Sequence, residues 1–241
     1  MTDDGFAQRV TRLGALADPL RRRLYRFVAE QPDAVSRDQA ADVVAVPRHT
    51  AKFHLDRLVD EGLLVTEFRR LTGRNGPGAG RPAKLYRRSA REVTVSVPSR
   101  RYDLAGQVLA DAVERSLDGV PMADAVSQAA DNAARVVVEA AHPEDGQQLN
   151  RIGDVLAPLG YEPRVEFDEA DEGAGDLVLG NCPFDRLASD HRDLVCGMNR
   201  EFVGAVARRL QCDDVEARLD QDASRCCVRV VRRQDVGPDA T

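Results

Sequence analysis

Residues 46–64 read VPRHTAKFHLDRLVDEGLL, and this stretch decides the fold of the N-terminal part of the chain. Its apolar residues recur every three or four positions, which predicts a helix from Pro47 to Glu61 with Gly62 at its end. The apolar face of this helix carries Ala51, Leu55, Leu58 and Val59. The opposite face is polar, so the helix is expected to pack on a core with one side only.

A shorter helix is predicted just upstream. Ser36 is followed three residues later by Gln39, a capping box that opens a helix running through Val44. Two further stripes at helical spacing precede it, the second behind Pro19, a favourable first-turn residue. The stripes are Val10, Leu13 and Leu16, then Leu20, Leu24 and Phe27. Two short helices joined by a tight turn indicate a helix-turn-helix.

The polar face of the 47–61 helix is the candidate DNA-binding surface. Arg and Lys bond guanine edges, Thr bonds bases or phosphates, and a helix N-terminus attracts phosphate. An ordinary solvated face is the alternative for a helix considered alone. The candidate DNA-binding residues on this helix are Arg48, His49, Thr50, Lys52, Phe53, His54 and Arg57.

The segment after Gly62 predicts a β-hairpin. Apolar and polar residues alternate from Leu64 to Arg70, and 83–88 gives a second short strand. Residues 72–82 between them hold four glycines and two prolines, which excludes a helix there. A hairpin directly after such a helix is a wing, and its basic residues can grip the minor groove or the phosphates. The candidate contacts are Arg74, Arg81 and Lys84, with Arg87 and Arg88 on the returning strand.

Together, VPRHTAKFHLDRLVDEGLL and the later GRPAKLY resemble the winged-helix bacterial repressors of the ArsR-like class. The resemblance covers roughly residues 10–90, and its motifs occur in the family's order: capping helix, recognition helix, the His54-Leu55 pair, EGLL and a GRP-containing wing. Ala45 departs from the pattern, because the turn usually has Gly at this position. The resemblance implies a DNA-binding repressor with a winged helix-turn-helix.

The charge distribution supports this interpretation. The net charge of -6 taken alone argues against a polyanionic partner. Residues 1–102, however, hold 20 Arg and Lys against 12 Asp and Glu, a net of +8. Residues 103–241 hold the remaining 14 against 28, a net of -14. A basic half suited to an anion is therefore joined to an acidic half with another task.

The middle of the chain predicts two helices, over 103–116 and 122–141, the second rich in alanine. Small residues allow close helix approach, as in a two-fold interface, although packing against the chain's own C-terminal part explains them equally well. One winged helix contacts few base pairs, and a dimer reads two half-sites. We therefore expect a homodimer on a double-stranded DNA operator.

The last hundred residues predict a small α+β domain. Helices are expected over 146–159 and over 184–210 with a break near Asp190, and strands over 162–167, 176–179, 215–219 and 226–231. The overall fold class is α+β. The expected organisation is a winged helix-turn-helix domain at 1–92, a helical linker and dimerisation region at 93–144, and a cysteine-containing sensor domain at 145–241.

All five cysteines lie in this acidic half. The intervals between successive cysteines are 14, 16 and 14 residues: Cys182 to Cys196, Cys196 to Cys212, and Cys212 to Cys226. Cys227 directly follows Cys226. No C-x-x-C occurs, so a zinc ribbon and a thioredoxin-type site lack their local signature. Buried free thiols are the plain alternative to a metal site. On a strand, the adjacent pair points to opposite faces, so at most one of the two is expected to serve a given site.

NCPFDRLASDHRDLVCGMNREFV, followed by RCCVRV, is similar to the C-terminal domain of the SufR-type iron–sulfur regulators. The similarity implies an iron–sulfur cluster that controls DNA affinity, with Cys182, Cys196 and Cys226 as ligands and Cys212 as the intermediate ligand of some members. The intervals here are a residue or two longer than in the family, which leaves the choice among Cys212, Cys226 and Cys227 open. A thiol-redox or zinc-binding regulator on the same DNA-binding half is the alternative.

Other classes of protein lack support in the sequence. Mean hydropathy is -0.39 and no apolar run approaches the roughly 20 residues of a membrane span. The N-terminal MTDDGFAQRV is unlike a secretory signal, so a cytoplasmic protein without membrane contact is expected. There is no G-K-[ST] phosphate loop, no G-x-S-x-G and no H-E-x-x-H, so no enzymatic activity is predicted.

Overall fold

The computed structural model describes residues 3–70, 82–143, 145–167, 175–220 and 225–233. The chain divides into two units, Thr2–Val95 and Ser96–Thr241. Each has a separate apolar core. The wing tip expected at 72–82 lies outside the described residues apart from Pro82, and so do Arg74 and Arg81.

The first unit is mainly helical. In chain order it contains α1 (Asp3–Gly14), a 3₁₀ turn (Ala15–Ala17), α2 (Pro19–Glu30), β1 (Val35–Ser36), α3 (Arg37–Val44), α4 (Arg48–Asp60), β2 (Leu64–Arg69) and β3 (Ala83–Arg88). Its core is formed by the apolar faces of α2, α3 and α4, including Leu24, Ala40 and Leu55, with Tyr86 from β3.

Local capping explains where α3 begins. The Ser36 hydroxyl accepts a 3.2 Å hydrogen bond from the Gln39 N–H, and the Gln39 side chain accepts one of 2.9 Å from the Ser36 N–H. The predicted capping box is confirmed. At the other end of α3, Ala45 has φ 57° and ψ 55°, a left-handed conformation that favours glycine. The turn into α4 therefore keeps its usual geometry although a methyl group replaces glycine's hydrogen.

The hairpin after α4 is antiparallel. β3 lies between β1 and β2, and Tyr86 pairs with Val35 on one side and Thr66 on the other. The two predicted strands are confirmed, whereas the two-residue β1 was not expected. β3 is consequently the central strand of this small sheet.

Among its described residues, the second unit contains six helical segments and four strands. They are α5 (Tyr102–Leu117), α6 (Met122–Ala141), α7 (Gln148–Leu156), a 3₁₀ turn (Ala157–Leu159), β4 (Pro163–Phe167), β5 (Gly175–Leu179), α8 (Asp185–Asp190), α9 (Arg192–Arg209), β6 (Val215–Leu219) and β7 (Val228–Arg232). The strands form an antiparallel sheet of order β4-β5-β7-β6. The predicted break near Asp190 falls at His191, between α8 and α9.

Helices α5 and α6 share one core with the sheet and α9. The buried alanines of α6 are Ala125, Ala129, Ala130 and Ala134. On α9, the Arg209 guanidinium donates to the backbone carbonyl of Asp131 and forms an ion pair with its carboxylate. The alanine stripe thus packs inside its own chain, and α5 and α6 have a core in common with 145–241, whereas Val93 packs against the first core.

No helix in the described part of the chain is both long and apolar enough to cross a membrane.

Candidate functional site

Helix α4 presents a polar face built by its own periodicity. Ala51, Leu55 and Leu58 are fully buried and hold the helix against the first core. The candidate DNA-binding residues of α4 lie on its other side. Five are exposed and two are half-buried: Arg48, His49, Lys52, Phe53 and Arg57 are exposed, and Thr50 and His54 are half-buried. The Phe53 side chain is 66% exposed. Its ring lies edge-on to the His54 ring, with 5.3 Å between the ring centroids. An aromatic ring so placed is available to a partner.

The cations of this face have acidic neighbours. Arg57 lies 2.6 Å from Glu61, Lys52 lies 3.1 Å from Asp56, and a longer 3.6 Å pair joins Arg48 to Asp38. At least half of each cationic side chain is exposed, so these pairs contribute little stability. The cations can therefore exchange carboxylate partners for phosphates at small cost.

Asp56 connects α4 with the wing. Its Oδ1 accepts hydrogen bonds from Lys84 Nζ at 2.7 Å and from the Tyr86 hydroxyl at 2.8 Å. Burial acts to raise the pKa of Asp56, but the hydrogen bonds from Lys84, Tyr86 and Lys52 outweigh it and lower that pKa. Burial and the nearby carboxylate raise the pKa of Tyr86. Lys84 is therefore engaged by Asp56, unlike the exposed Arg87 and Arg88 on the same strand.

Sequence reasoning named Lys84 as a DNA contact and did not single out Asp56 or Tyr86. The only available signal was the i, i+4 spacing of Lys52 and Asp56, which predicts an ion pair on one helix. The partners on β3 are 28 and 30 residues away in the chain. Nothing in the local pattern predicts such a distant contact.

Four of the five cysteines form two pairs in the second unit, linked along the chain by the adjacent residues Cys226 and Cys227 and here together named the cysteine site. Cys196 on α9 is bonded to Cys227 in a disulfide with a Cα–Cα distance of 6.1 Å. Cys182, in the loop after β5, shares a side-chain hydrogen bond with Cys226. This bond lowers the pKa of Cys182 against the effect of burial and raises that of Cys226. A loop, a helix and the segment before β7 thus meet at sulfur atoms.

The adjacent residues Cys226 and Cys227 have different partners. Strand β7 begins at Val228, so both residues precede it, and strand alternation does not govern their side chains. Cys226 contacts Cys182 while Cys227 is bonded to Cys196. The two adjacent residues therefore belong to two different cysteine pairs.

Cys212 is not brought to this group. It follows α9, whereas Cys196 lies near the start of that helix; the 13 residues from Cys196 to Arg209 span about 20 Å at 1.5 Å per residue. Its sulfur faces the carbonyl oxygens of Leu210 at 3.7 Å and Gln148 at 3.9 Å. Burial raises the pKa of this thiol. Cys212 behaves as a small buried side chain.

Two buried polar residues support the cysteine site. Asn199, on α9, donates to the Cys226 sulfur at 3.2 Å and accepts a 2.7 Å hydrogen bond from the Tyr161 hydroxyl. Both residues are fully buried, and burial raises the pKa of Tyr161. A buried side-chain amide needs hydrogen-bond partners within the protein, and the Cys226 sulfur is one of the partners of Asn199. Asn199 lies within the stretch 181–203 that resembles the regulators named above, but no local pattern singled out Asn199 or Tyr161.

Among the described residues, no three His, Cys, Asp or Glu side chains are grouped so as to hold a metal ion. Two of the four sulfurs of the cysteine site are bonded to each other. In a reduced form, Cys182, Cys196, Cys226 and Cys227 would offer four thiols from three segments. The donor set of that form is the one that iron–sulfur clusters use.

The comparison with protein families decides the nature of the first unit. Residues 16–67 match the family model described as a helix-turn-helix domain. The chain contains a helix-turn-helix domain. No curated protein and no solved structure gives a significant match to the chain.

The helix-turn-helix domain includes α2, α3, α4 and most of β2, so α4 occupies the place of the recognition helix. Domains of this kind bind DNA in transcription regulators and typically carry no enzymatic activity. The exposed basic face of α4 therefore lies within the helix-turn-helix domain.

Proposed function

We propose that this chain is a transcription regulator, a repressor acting as a homodimer, whose affinity for its DNA operator is controlled at the cysteine site. The exposed basic face of α4 within the helix-turn-helix domain is the observation that carries the proposal. The cysteine site in a separate unit supplies the place where a signal would be received.

The DNA-binding half of the proposal rests on charge and geometry. Arg48, Lys52 and Arg57 project from α4 while the apolar side of the helix is fixed in the core. Arg87 and Arg88 are exposed on β3, and Asp56 holds that strand to α4. Helix and hairpin can therefore meet DNA as one surface, with base contacts from α4 and phosphate contacts from the hairpin.

A homodimer is favoured by apolar side chains that the second unit leaves exposed. On α5, Leu117 is 82% exposed and Val113 is 47% exposed. On α6, Met122 and Val136 are also about half exposed. A second copy would cover such surface and would place two recognition helices on one palindromic operator.

We further propose an iron–sulfur cluster as the signal-receiving group, held by Cys182, Cys196, Cys226 and Cys227. The support is that two cysteine pairs join three separate segments, Cys182 with Cys226 and Cys196 with Cys227, and that the buried Asn199 amide donates to the Cys226 sulfur. When bound, a cluster supplies redox and oxygen sensitivity and cross-links the segments that hold it. The chain's own contribution is the thiol set and the Asn199 N–H aimed at one sulfur.

Direct thiol oxidation is the second candidate, favoured by the Cys196–Cys227 disulfide. In this version two thiols lose two protons and two electrons to an oxidant, and the bond itself joins α9 to the segment before β7. Both versions place control of DNA affinity at the same residues.

An anaerobic spectrum distinguishes the two candidates. Protein purified without oxygen is expected to be brown, to contain iron and acid-labile sulfide, and to lose both in Cys182→Ser. Cys212→Ser is the matched control and should stay brown, since Cys212 lies apart from the group. Colourless protein with titratable thiols supports thiol oxidation, and colourless protein with stoichiometric zinc supports a zinc regulator; either result rejects the cluster.

DNA binding is tested separately. A duplex enriched from a randomised library should bind with an affinity that falls steeply as salt rises, because each phosphate contact releases counterions. A salt-independent affinity, or no enriched duplex, would reject the DNA-binding proposal.

A further inference from the structure

The segment that enters the second unit is bonded directly to the loop of Cys182. Residues 96–101, here named the connector, lie between the unit boundary at Val95 and the start of α5. The Arg101 N–H donates to the Pro183 carbonyl at 3.0 Å. On the other side of Cys182, the Asn181 side chain donates to the Ser99 carbonyl at 3.0 Å. The connector thus holds the residues on both sides of one cysteine.

Asn181 uses its side-chain N–H groups, its side-chain oxygen and its backbone N–H to hold the connector against this part of the second unit, a contact here named the junction. Its side-chain N–H groups reach the carbonyls of Ser99 and, at 2.5 Å, Gly160. Its side-chain oxygen accepts a 2.6 Å hydrogen bond from Arg100, and its own N–H donates to the Tyr161 carbonyl at 3.0 Å. Only 9% of Asn181 is exposed. A buried amide with every bond made holds its neighbours in one arrangement.

Arg100 and Gly160 complete the junction. The Arg100 guanidinium also approaches Asp185, at the start of α8, at 3.4 Å. Gly160 has φ +86°, and a Cβ there would lie 2.6 Å from the Ser99 side chain. The backbone at 160 therefore lies against the connector so closely that only glycine fits.

The cysteine site reaches the same junction by a second route. Cys226 accepts from Asn199, Asn199 accepts from Tyr161, and the Tyr161 carbonyl accepts from the Asn181 N–H. Cys182 is the covalent neighbour of Asn181. Cys182 is therefore joined to Asn181 by the peptide bond, and Cys226 is joined to it through three hydrogen bonds.

We infer that Asn181 and Arg100 are coupling residues: they transmit a change at Cys182 and Cys226 to the connector, and through the connector to the DNA-binding unit. This rests on the proposed control of DNA binding by the cysteine site. Oxidation or ligation at Cys182 changes the partners of its sulfur, and the loop must adjust. Because the Asn181 bonds are directional, the connector adjusts with it, and the two sites share a coupling free energy.

The test compares coupling in four full-length proteins: wild type, Arg100→Gln, Asn181→Ala and the control Arg218→Gln. Arg218 pairs with Glu216 on β6, and its substitution removes the same charge from the same unit. For each protein, the Kd for the enriched duplex is measured in the anaerobically isolated and the peroxide-oxidised state. We expect the ratio of the two Kd values to fall at least three-fold in both junction variants and to stay unchanged in the control. Unchanged ratios in both junction variants would overturn the inference.

A second measurement keeps the inference testable if either variant unfolds or if the wild type shows no redox response on DNA. Hydrogen exchange of the Arg101 amide is followed in the wild type in both states. We expect at least a three-fold change in its protection, since that amide bonds the residue after Cys182. Equal protection in the two states overturns the coupling role, whereas a change in protection without a change in Kd rejects the proposed function alone.

Discussion

The Asp56 carboxylate on α4 accepts a 2.8 Å hydrogen bond from the hydroxyl of Tyr86 on β3. Tyr86 is the central residue of the small sheet, paired with strands on both sides, and is 1% exposed. One carboxylate thus fixes the angle between the recognition helix and the hairpin that follows it. A DNA surface made of two elements depends on such a link.

Asp56→Ala should destabilise the first unit by about 1–3 kcal/mol, because it leaves the buried Tyr86 hydroxyl without its partner. Urea unfolding of the full chain measures the loss, and hydrogen exchange of the α4 amides assigns it to this unit. Asp60→Ala, which removes an exposed carboxylate from the same helix, is the matched control.

The stability of Asp56→Ala should also fall less steeply than that of the wild type as the solution is acidified. Since the pKa of Asp56 is lowered in the folded state, its contribution is present above about pH 4 and is lost as pH falls below that value. Equal stability of the Asp56 and Asp60 variants would contradict the role of the link.

Lys52→Ala and Arg57→Ala should each weaken DNA binding without unfolding the domain. Both side chains are at least half exposed and their ion pairs are on the surface. Each removed phosphate contact should make the negative slope of the logarithm of the association constant against the logarithm of salt concentration shallower by about one. Arg12→Ala on α1 serves as the control for loss of charge. A lost thermal transition, or a slope equal to that of the control, would exclude these residues as phosphate contacts.

Ala45→Gly should stabilise the first unit by about 0.5 kcal/mol. Ala45 is exposed and its backbone has the left-handed conformation. Glycine relieves the close approach of the methyl group to the backbone carbonyl oxygen and removes no packing. Ala7→Gly, at an exposed position within α1, should have the opposite sign. A loss of stability in Ala45→Gly would mean that the turn does not hold this conformation.

Helix boundaries were predictable because their signals are local. The capping box at Ser36 and the uninterrupted periodicity of 122–141 gave helices that the structure confirms. The strands at 83–88 and 215–219 were also predicted at their observed bounds. The two-residue β1 was missed because its pairing with β3 depends on residues 50 positions away.

The cysteine site was predictable only in part, because spacing along the chain does not give distance in space. Cys182, Cys196 and Cys226 were expected to serve one site; the structure pairs Cys182 with Cys226 and bonds Cys196 to Cys227. Cys212 has a similar spacing, but the length of α9 carries it to the other end of the helix. The choice between Cys226 and Cys227 was left open, and strand alternation does not decide it because β7 begins at Val228, after both residues.

Tyr161 and Asn199 should be energetically coupled. Tyr161→Phe and Asn199→Ala each break the same buried 2.7 Å hydrogen bond, so the double variant should lose less stability than the sum of the single losses. A coupling of about 0.5–3 kcal/mol is expected from urea unfolding of the four proteins. Full additivity would show that the hydrogen bond does not support the cysteine site.

The central claim is that the cysteine site of the second unit controls DNA binding by the first. The most direct test is the Kd of wild-type protein for its enriched duplex, measured before and after peroxide oxidation at fixed salt, beside a Cys182→Ser/Cys196→Ser variant, which removes one thiol from each pair of the cysteine site. The account predicts a change of about five-fold or more in the wild type and none in the variant. Equal Kd values for the two states of the wild type, or the same change in the variant, would contradict it.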